Sequence, residues 1–254
     1  MDIKGKVAIV TGGAQGIGRG MTLALLKKGA SVVVADLRDA QAMVDKINKV
    51  HGSKIAVYQR CDVSSSADCQ ATIDRAISEF GKFDILVNNA GIGGSYLWDE
   101  HDRRQIEKVI DVDLTSVIDF TRLSVQHWEK DSNATGAVVN VASNMAFFPA
   151  AYGAVYGAAK AGVVHFTATC ASLFPKVRVN AVAPNYADTD MFNKPASKKS
   201  DPHQIAKMNG VLSVSQVVEN MIRCIEDKNL VGDTIKLIAN KQPLVHKQRK
   251  AAKL

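Results

Sequence analysis

The sequence predicts a single-domain α/β protein: a doubly wound, mainly parallel sheet of seven strands with helices on both faces. Short β-branched runs alternate with stretches of helical spacing from the first residues onward. The runs are nearly continuously apolar, as strands are when both faces of a parallel sheet are covered. A glycine-rich turn links the first run to the first helical stretch, as a β-α-β unit requires.

In chain order, the strands are read at Val7–Val10, Ser31–Ala35, Ile55–Gln59, Ile85–Val87, Ala137–Val141, Val177–Ala181 and Thr234–Ile238. Helical spacing marks Ile17–Lys28, Ala67–Phe80, Arg103–Trp128, Gly157–Phe174 and Ser215–Ile225. The domain is read as 1–240, with a substrate flap near 185–210 and a basic tail at 241–254. The flap holds Pro195, Pro202 and a polar run, and a long irregular loop inside a compact domain is usually functional or disordered.

The chain has 254 residues, 46% hydrophobic and 22% charged, which suits one large globular domain with its own core. Cys61, Cys69, Cys170 and Cys224 form no C-x-x-C pair, so neither zinc nor a disulfide framework is expected. No apolar run reaches the ~20 residues a membrane helix needs, and no signal peptide is read at the start. The net charge of +7 includes Lys241, Lys247, Arg249, Lys250 and Lys253 in the tail. It is not interleaved with aromatics, so a solvated surface is favoured over nucleic acid.

The turn Thr11-Gly12-Gly13-Ala14-Gln15-Gly16-Ile17-Gly18 follows a strand and opens a helix. Glycines there let the backbone approach a pyrophosphate, and the helix N-terminus offers free N–H groups to it. Gly12, Gln15, Gly16, Ile17 and Gly18 are therefore candidate cofactor residues. Asp36 ends the second strand 18 residues after Gly18, beside Leu37. An acidic side chain there can accept from ribose hydroxyls and repel a 2′-phosphate, favouring NAD over NADP, although Arg38 lies close by.

These residues, with several motifs downstream, resemble the short-chain dehydrogenase/reductase family over almost the whole chain. T-G-x-x-x-G-x-G matches Thr11 to Gly18, N-N-A-G matches Asn88 to Gly91, and Y-x-x-x-K matches Tyr156 and Lys160, with Ser143 upstream. Val179 to Pro184 looks like the family segment that leads to the nicotinamide. Asp36 and the Ile235–Ile238 strand look like the NAD-dependent prostaglandin-dehydrogenase branch, though the family's glycine-rich ending is missing after Ile238. The resemblance implies a Rossmann-type fold. It implies that Asp62 and Val63 flank the adenine and that Asn89, Ala90 and Gly91 line the adenosine side. Pro184, Ala187 and Thr189 would hold the carboxamide. It also implies a homodimer or homotetramer.

The chemistry follows from spacing. Tyr156 and Lys160 lie four apart on one helix face. A nearby ammonium favours phenolate, so Tyr156 is expected at a lowered pKa as the acid/base of alcohol–ketone interconversion. Ser143 would stabilise the developing oxyanion. Lys160, by resemblance, would also bind the nicotinamide ribose. Asp113 stands where the family usually has Asn; it keeps the size but adds a charge and removes two donors. The expected reaction is hydride transfer between a secondary alcohol or ketone and nicotinamide, with no metal. A peroxisomal oxidoreductase of acyl-CoA-type substrates and a catalytically weak cofactor sensor are the alternatives.

Ser143, Asn144, Met145, Tyr152, Tyr156, Tyr186 and Phe192, with Phe147 and Phe148, are candidate substrate contacts. Their apolar and aromatic character suits an uncharged, moderately hydrophobic small molecule, and they serve equally well as core packing. The terminal Ala252-Lys253-Leu254 resembles a peroxisomal address, which in a eukaryote would engage the import receptor; otherwise the protein reads as cytoplasmic.

Overall fold

The computed structural model describes residues 1–99, 102–150, 152–193 and 210–247. Much of the flap, 194–209, and the terminal tripeptide lie outside these residues.

A single sheet organises the chain. Its strands are β1 (Val7–Thr11), β2 (Ser31–Asp36), β3 (Ala56–Arg60), β4 (Ile85–Asn88), β5 (Gly136–Val141), β6 (Val177–Pro184), β7 (Thr234–Leu237) and β8 (Leu244–His246). The spatial order is β3-β2-β1-β4-β5-β6-β7-β8. The first seven run parallel, and β8 pairs antiparallel with β7 through Lys236↔Leu244, Ile235↔Val245 and Thr234↔His246. Among the described residues the expected seven strands are therefore eight, and Leu244–His246, within the segment expected as a basic tail from 241, pairs at the sheet edge. A three-residue strand next to Pro243 is too short to leave an apolar run.

The helices are α1 (Gly16–Lys27), α2 (Gln41–His51), α3 (Ser66–Phe80), α4 (Arg103–Ile110), α5 (Ser116–Glu129), α6 (Ala154–Thr169), the single turn α7 (Asp190–Asn193) and α8 (Val214–Glu226). Side-chain alternation divides the core. Ala8, Val10, Val32, Val34, Val87 and Val139 face α1 and α8, whereas Val7, Ile9, Val33, Leu86, Val138 and Val179 face α3 and α5. Burying each such valine or isoleucine contributes about 1.5–3 kcal/mol. Polar caps set the helix starts. Ser65 accepts from the Asp68 N–H at α3, Asp102 from Arg104 at α4, and Ser213 with Gln216 forms a capping box at α8.

The stretch expected as one helix, Arg103–Trp128, is interrupted. Between α4 and α5 the backbone widens into a π turn, Asp111–Thr115. No glycine or proline marks it; Asp113 is drawn inward there to complete exposure loss, at 0%. Similarly, Gly157–Phe174 becomes α6 plus a 3₁₀ turn at Cys170–Leu173.

Strand β1 lies between β2 and β4, so the chain leaves the centre of the sheet in opposite directions. That reversal opens a crevice at the carboxyl ends of β1 and β4, where doubly wound sheets bind ligands.

Candidate active site

The crevice floor is the glycine turn. Gly12 and Gly16 take positive φ, +61° and +52°, which glycine adopts without a Cβ penalty. A Cβ on Gly12 would lie 3.1 Å from the Ala90 backbone, and one on Gly18 would strike the Gly12 carbonyl. Gln15 precedes α1 without capping it, so the first-turn N–H groups of Gly16, Ile17 and Gly18 remain free for an anion. Thr189 lies across the turn, its methyl group 3.3 Å from a notional Cβ on Gly16. Thr189 therefore packs close against the start of α1 at Gly16.

The turn is held by its neighbours. Thr11 Oγ1 accepts from the Asn89 and Ala90 N–H groups at 2.9 and 3.0 Å, and Asn89 Nδ2 donates to the Thr11 and Gly12 carbonyls at 2.9 and 3.2 Å. The Asn89 side chain thus braces the floor. Asp36 accepts from the Ala14 N–H through Oδ2 and the Arg38 N–H through Oδ1, both at 2.9 Å. Leu37 beside it is exposed. The Cys61 N–H donates to the Asp36 carbonyl at 3.1 Å, bringing Asp62 and Val63 to the same rim. Ser64 hydrogen bonds hold the Asp62 carboxyl below its ordinary range.

The reactive cluster sits where β5 ends and α6 begins. Ser143 is two residues past β5, buried, and its Oγ accepts from the Met145 N–H at 3.2 Å. Gly153, at φ +73°, turns the chain into α6, whose first turn carries Tyr156 and whose second carries Lys160. The Lys160 ammonium lies 5.6 Å from the Tyr156 ring centroid and donates to the Val141 carbonyl at 3.1 Å. Asp113 Oδ1 stands 3.5 Å from the same ammonium and accepts from the Ile92 N–H at 3.0 Å. Gly91 closes over the pair; a Cβ there would lie 2.8 Å from Asp113 Oδ1. The structure places Asn89, Ala90, Gly91, Asp113, Ser143, Tyr156 and Lys160 around one crevice.

The expected direction of the Tyr156 pKa is corrected. Burial pushes this phenol up, the Lys160 ammonium and Ser143 hydroxyl oppose, and Asp113 pushes it up further. Burial also raises the Asp113 carboxyl, against the pull of Lys160 and the Ile92 N–H.

Four other assignments change in kind. Asn144 is 4% exposed and donates to the Ala183 and Leu237 carbonyls at 2.9 and 2.7 Å, so it is a strut between the ends of β6 and β7. Met145 packs on Gly153, its Cε 3.1 Å from a Cβ there. Phe147 stacks edge-on with His246 and lies under Lys236, which also covers Phe148. These phenylalanines face the β7–β8 edge. Tyr152 does belong to an aromatic wall: its ring meets Tyr96 at 5.4 Å, and Tyr96 stacks on Trp98 at 4.7 Å. Tyr186 and Phe192 form a second pair at 5.5 Å. Tyr96 and Trp98 escape sequence reading because they lie in a loop about fifty residues before Tyr152, without periodicity. Beyond β6, Ala187 bridges to Leu212, and Thr189 Oγ1 donates to the Ala187 carbonyl at 3.3 Å, while Pro184 pairs with Leu237.

A model of the short chain dehydrogenase family matches residues 6–200. The bovine (Bos taurus) 15-hydroxyprostaglandin dehydrogenase [NAD(+)] is 33% identical over 257 residues, 95% of this chain and 94% of that one. The cis-4-hydroxycyclohexanecarboxylate dehydrogenase of Sinomonas cyclohexanicum is 38% identical over 189 residues, 73% of this chain and 75% of its own. Among solved structures, the 3-ketoacyl-(acyl-carrier-protein) reductase from Brucella melitensis, complexed with NADH, superposes with a TM-score of 0.81 at 30% identity. It covers 94% of this chain and 98% of that chain.

Proposed function

This chain belongs to the short chain dehydrogenase family, and on that premise we propose that it is an NAD-dependent oxidoreductase acting between a secondary alcohol and its ketone. The observation that carries this reading is the Lys160 ammonium 5.6 Å from the Tyr156 ring, facing the same crevice as the uncapped start of α1. NAD, when bound, supplies the hydride acceptor or donor. The free N–H groups of Gly16, Ile17 and Gly18 would hold its diphosphate, with Thr189 above them. Asp36 would accept from the adenosine ribose, Asp62 and Val63 would flank the adenine, and Pro184 with Ala187 would face the carboxamide.

The chain's own residues do the proton work. Ser143 donates to the substrate oxygen and favours its developing negative charge. Tyr156 takes the hydroxyl proton during oxidation and returns it during reduction. Lys160 offsets the phenolate charge by proximity. The aromatic pairs Tyr152–Tyr96 and Tyr186–Phe192 favour an uncharged, moderately hydrophobic substrate. The same family reading implies a homodimer or homotetramer.

A panel of alcohols and ketones, assayed with NAD(H) and NADP(H), tests this function. Wild type should turn over secondary alcohols with NAD, and Tyr156→Phe should lose about 10²–10⁴-fold in kcat while still binding NADH. Turnover of acyl-CoA esters alone would replace the substrate class. Absence of turnover in both forms, with NADH binding intact, would make the protein a cofactor sensor.

A further inference from the structure

The buried acid in the π turn is the feature that proton transfer by Tyr156 leaves unexplained. Asp113 is fully buried, and Lys160 is 3% exposed. Their 3.5 Å pairing is therefore shielded from solvent and salt. Asp113 Oδ1 is shared between Lys160 and the Ile92 N–H, whereas Oδ2 has no hydrogen-bond partner among the described residues. A carboxylate so poorly solvated is costly by itself, and the cation beside it is what holds its charge. The groups that face it are Lys160 and Tyr156 from α6, and the N–H of Ile92 from the loop after β4.

We propose that Asp113 is a positioning residue that neutralises the Lys160 ammonium within the site, so that Tyr156 keeps its proton to a higher pH than an uncharged side chain at position 113 would allow. This rests on the proton-transfer role proposed for Tyr156. The physics is that of a dipole replacing a charge. A lone ammonium 5.6 Å from the ring centroid favours the phenolate. A carboxylate 3.5 Å from that ammonium repels the phenolate and so offsets part of the ammonium's pull on it. The site then carries no net charge before the phenol ionises. Alcohol oxidation, which needs the phenolate, is displaced toward alkaline pH, and ketone reduction, which needs the phenol, is favoured near neutrality.

The test titrates the phenol directly in the protein without substrate. Ultraviolet difference absorbance between the wild type and Tyr156→Phe isolates the Tyr156 phenolate across a pH series. The wild-type phenolate should form only above the ordinary tyrosine value of about 10. In Asp113→Asn, which retains the acceptor for Ile92, the midpoint should fall by about one unit, a tenfold gain in phenolate at any pH below both midpoints. The kcat/KM profile for oxidation should move by the same interval. Equal midpoints, or a higher midpoint in the variant, would each overturn the proposal. If Asp113→Asn does not fold, the same comparison of midpoints with Asp113→Ser decides. Absence of turnover sinks the proposed function and leaves this titration standing. Turnover with coincident midpoints sinks this proposal and leaves the function.

Discussion

Asp36 performs two tasks with one carboxylate. Both oxygens accept from backbone N–H groups, one in the glycine turn and one just past β2, and the side chain is 8% exposed. A carboxylate has about four lone-pair sites, so two remain for a ribose. Asp36→Ala should therefore leave the Ala14 N–H without its partner, at a cost of about 1–3 kcal/mol in chemical denaturation. The same change removes the negative charge that would meet a 2′-phosphate. NADPH should gain at least about tenfold in affinity relative to NADH, read by nucleotide fluorescence titration; an unchanged ratio would remove Asp36 from cofactor selection. Residues of this kind are legible in the sequence because type and position coincide: an acid at the end of the second strand, a phenol and an amine one turn apart. Asn144 is not, because a polar residue next to a reactive serine reads the same whether it faces substrate or bridges two strand ends. The partner of Lys160 at Val141 is a backbone carbonyl, on which sequence is silent.

At the scale of elements, α5 is fastened to the sheet by its last turn. The Trp128 indole N–H donates to the Phe83 carbonyl at 2.7 Å, its ring stacks on Phe83 at 5.1 Å, and Gly136 passes directly beneath it. A side chain on Gly136 would meet the indole, which is the reason β5 starts with glycine. Trp128→Ala empties this site and should cost about 3–5 kcal/mol, measured by urea unfolding; a loss below 1 kcal/mol would show that the anchor lies elsewhere. The strands are legible as elements because their apolar runs are unbroken. The π turn is not, because Asp111-Val112-Asp113-Leu114-Thr115 continues the helical spacing on both sides. What widens that turn is tertiary: the demand of the Ile92 N–H and the Lys160 ammonium for a shared acceptor.

Across the whole molecule, the reversal of strand order between β1 and β4 fixes where everything reactive gathers. The glycine turn, Asn89, Ser143 and Pro184 all lie at or just past the carboxyl ends of strands, so a correct reading of alternation already assigns them to one rim. The edge of the sheet is a different matter, since the return of β8 depends on three residues that sequence periodicity cannot register. Ending the chain at Gln242 should bare the hydrogen-bonding side of β7. Light scattering on the shortened protein should then detect concentration-dependent aggregation beyond the assembly the full chain forms; a shortened protein that remains as dispersed as the original would contradict this.

The three-residue β8 therefore acts as a hem. It occupies N–H and C=O groups of β7 that would otherwise invite a second sheet, and its brevity leaves little of itself to recruit another strand. Because Phe147 reaches His246 across this border, stitching the hem also steadies the chain just beyond Ser143.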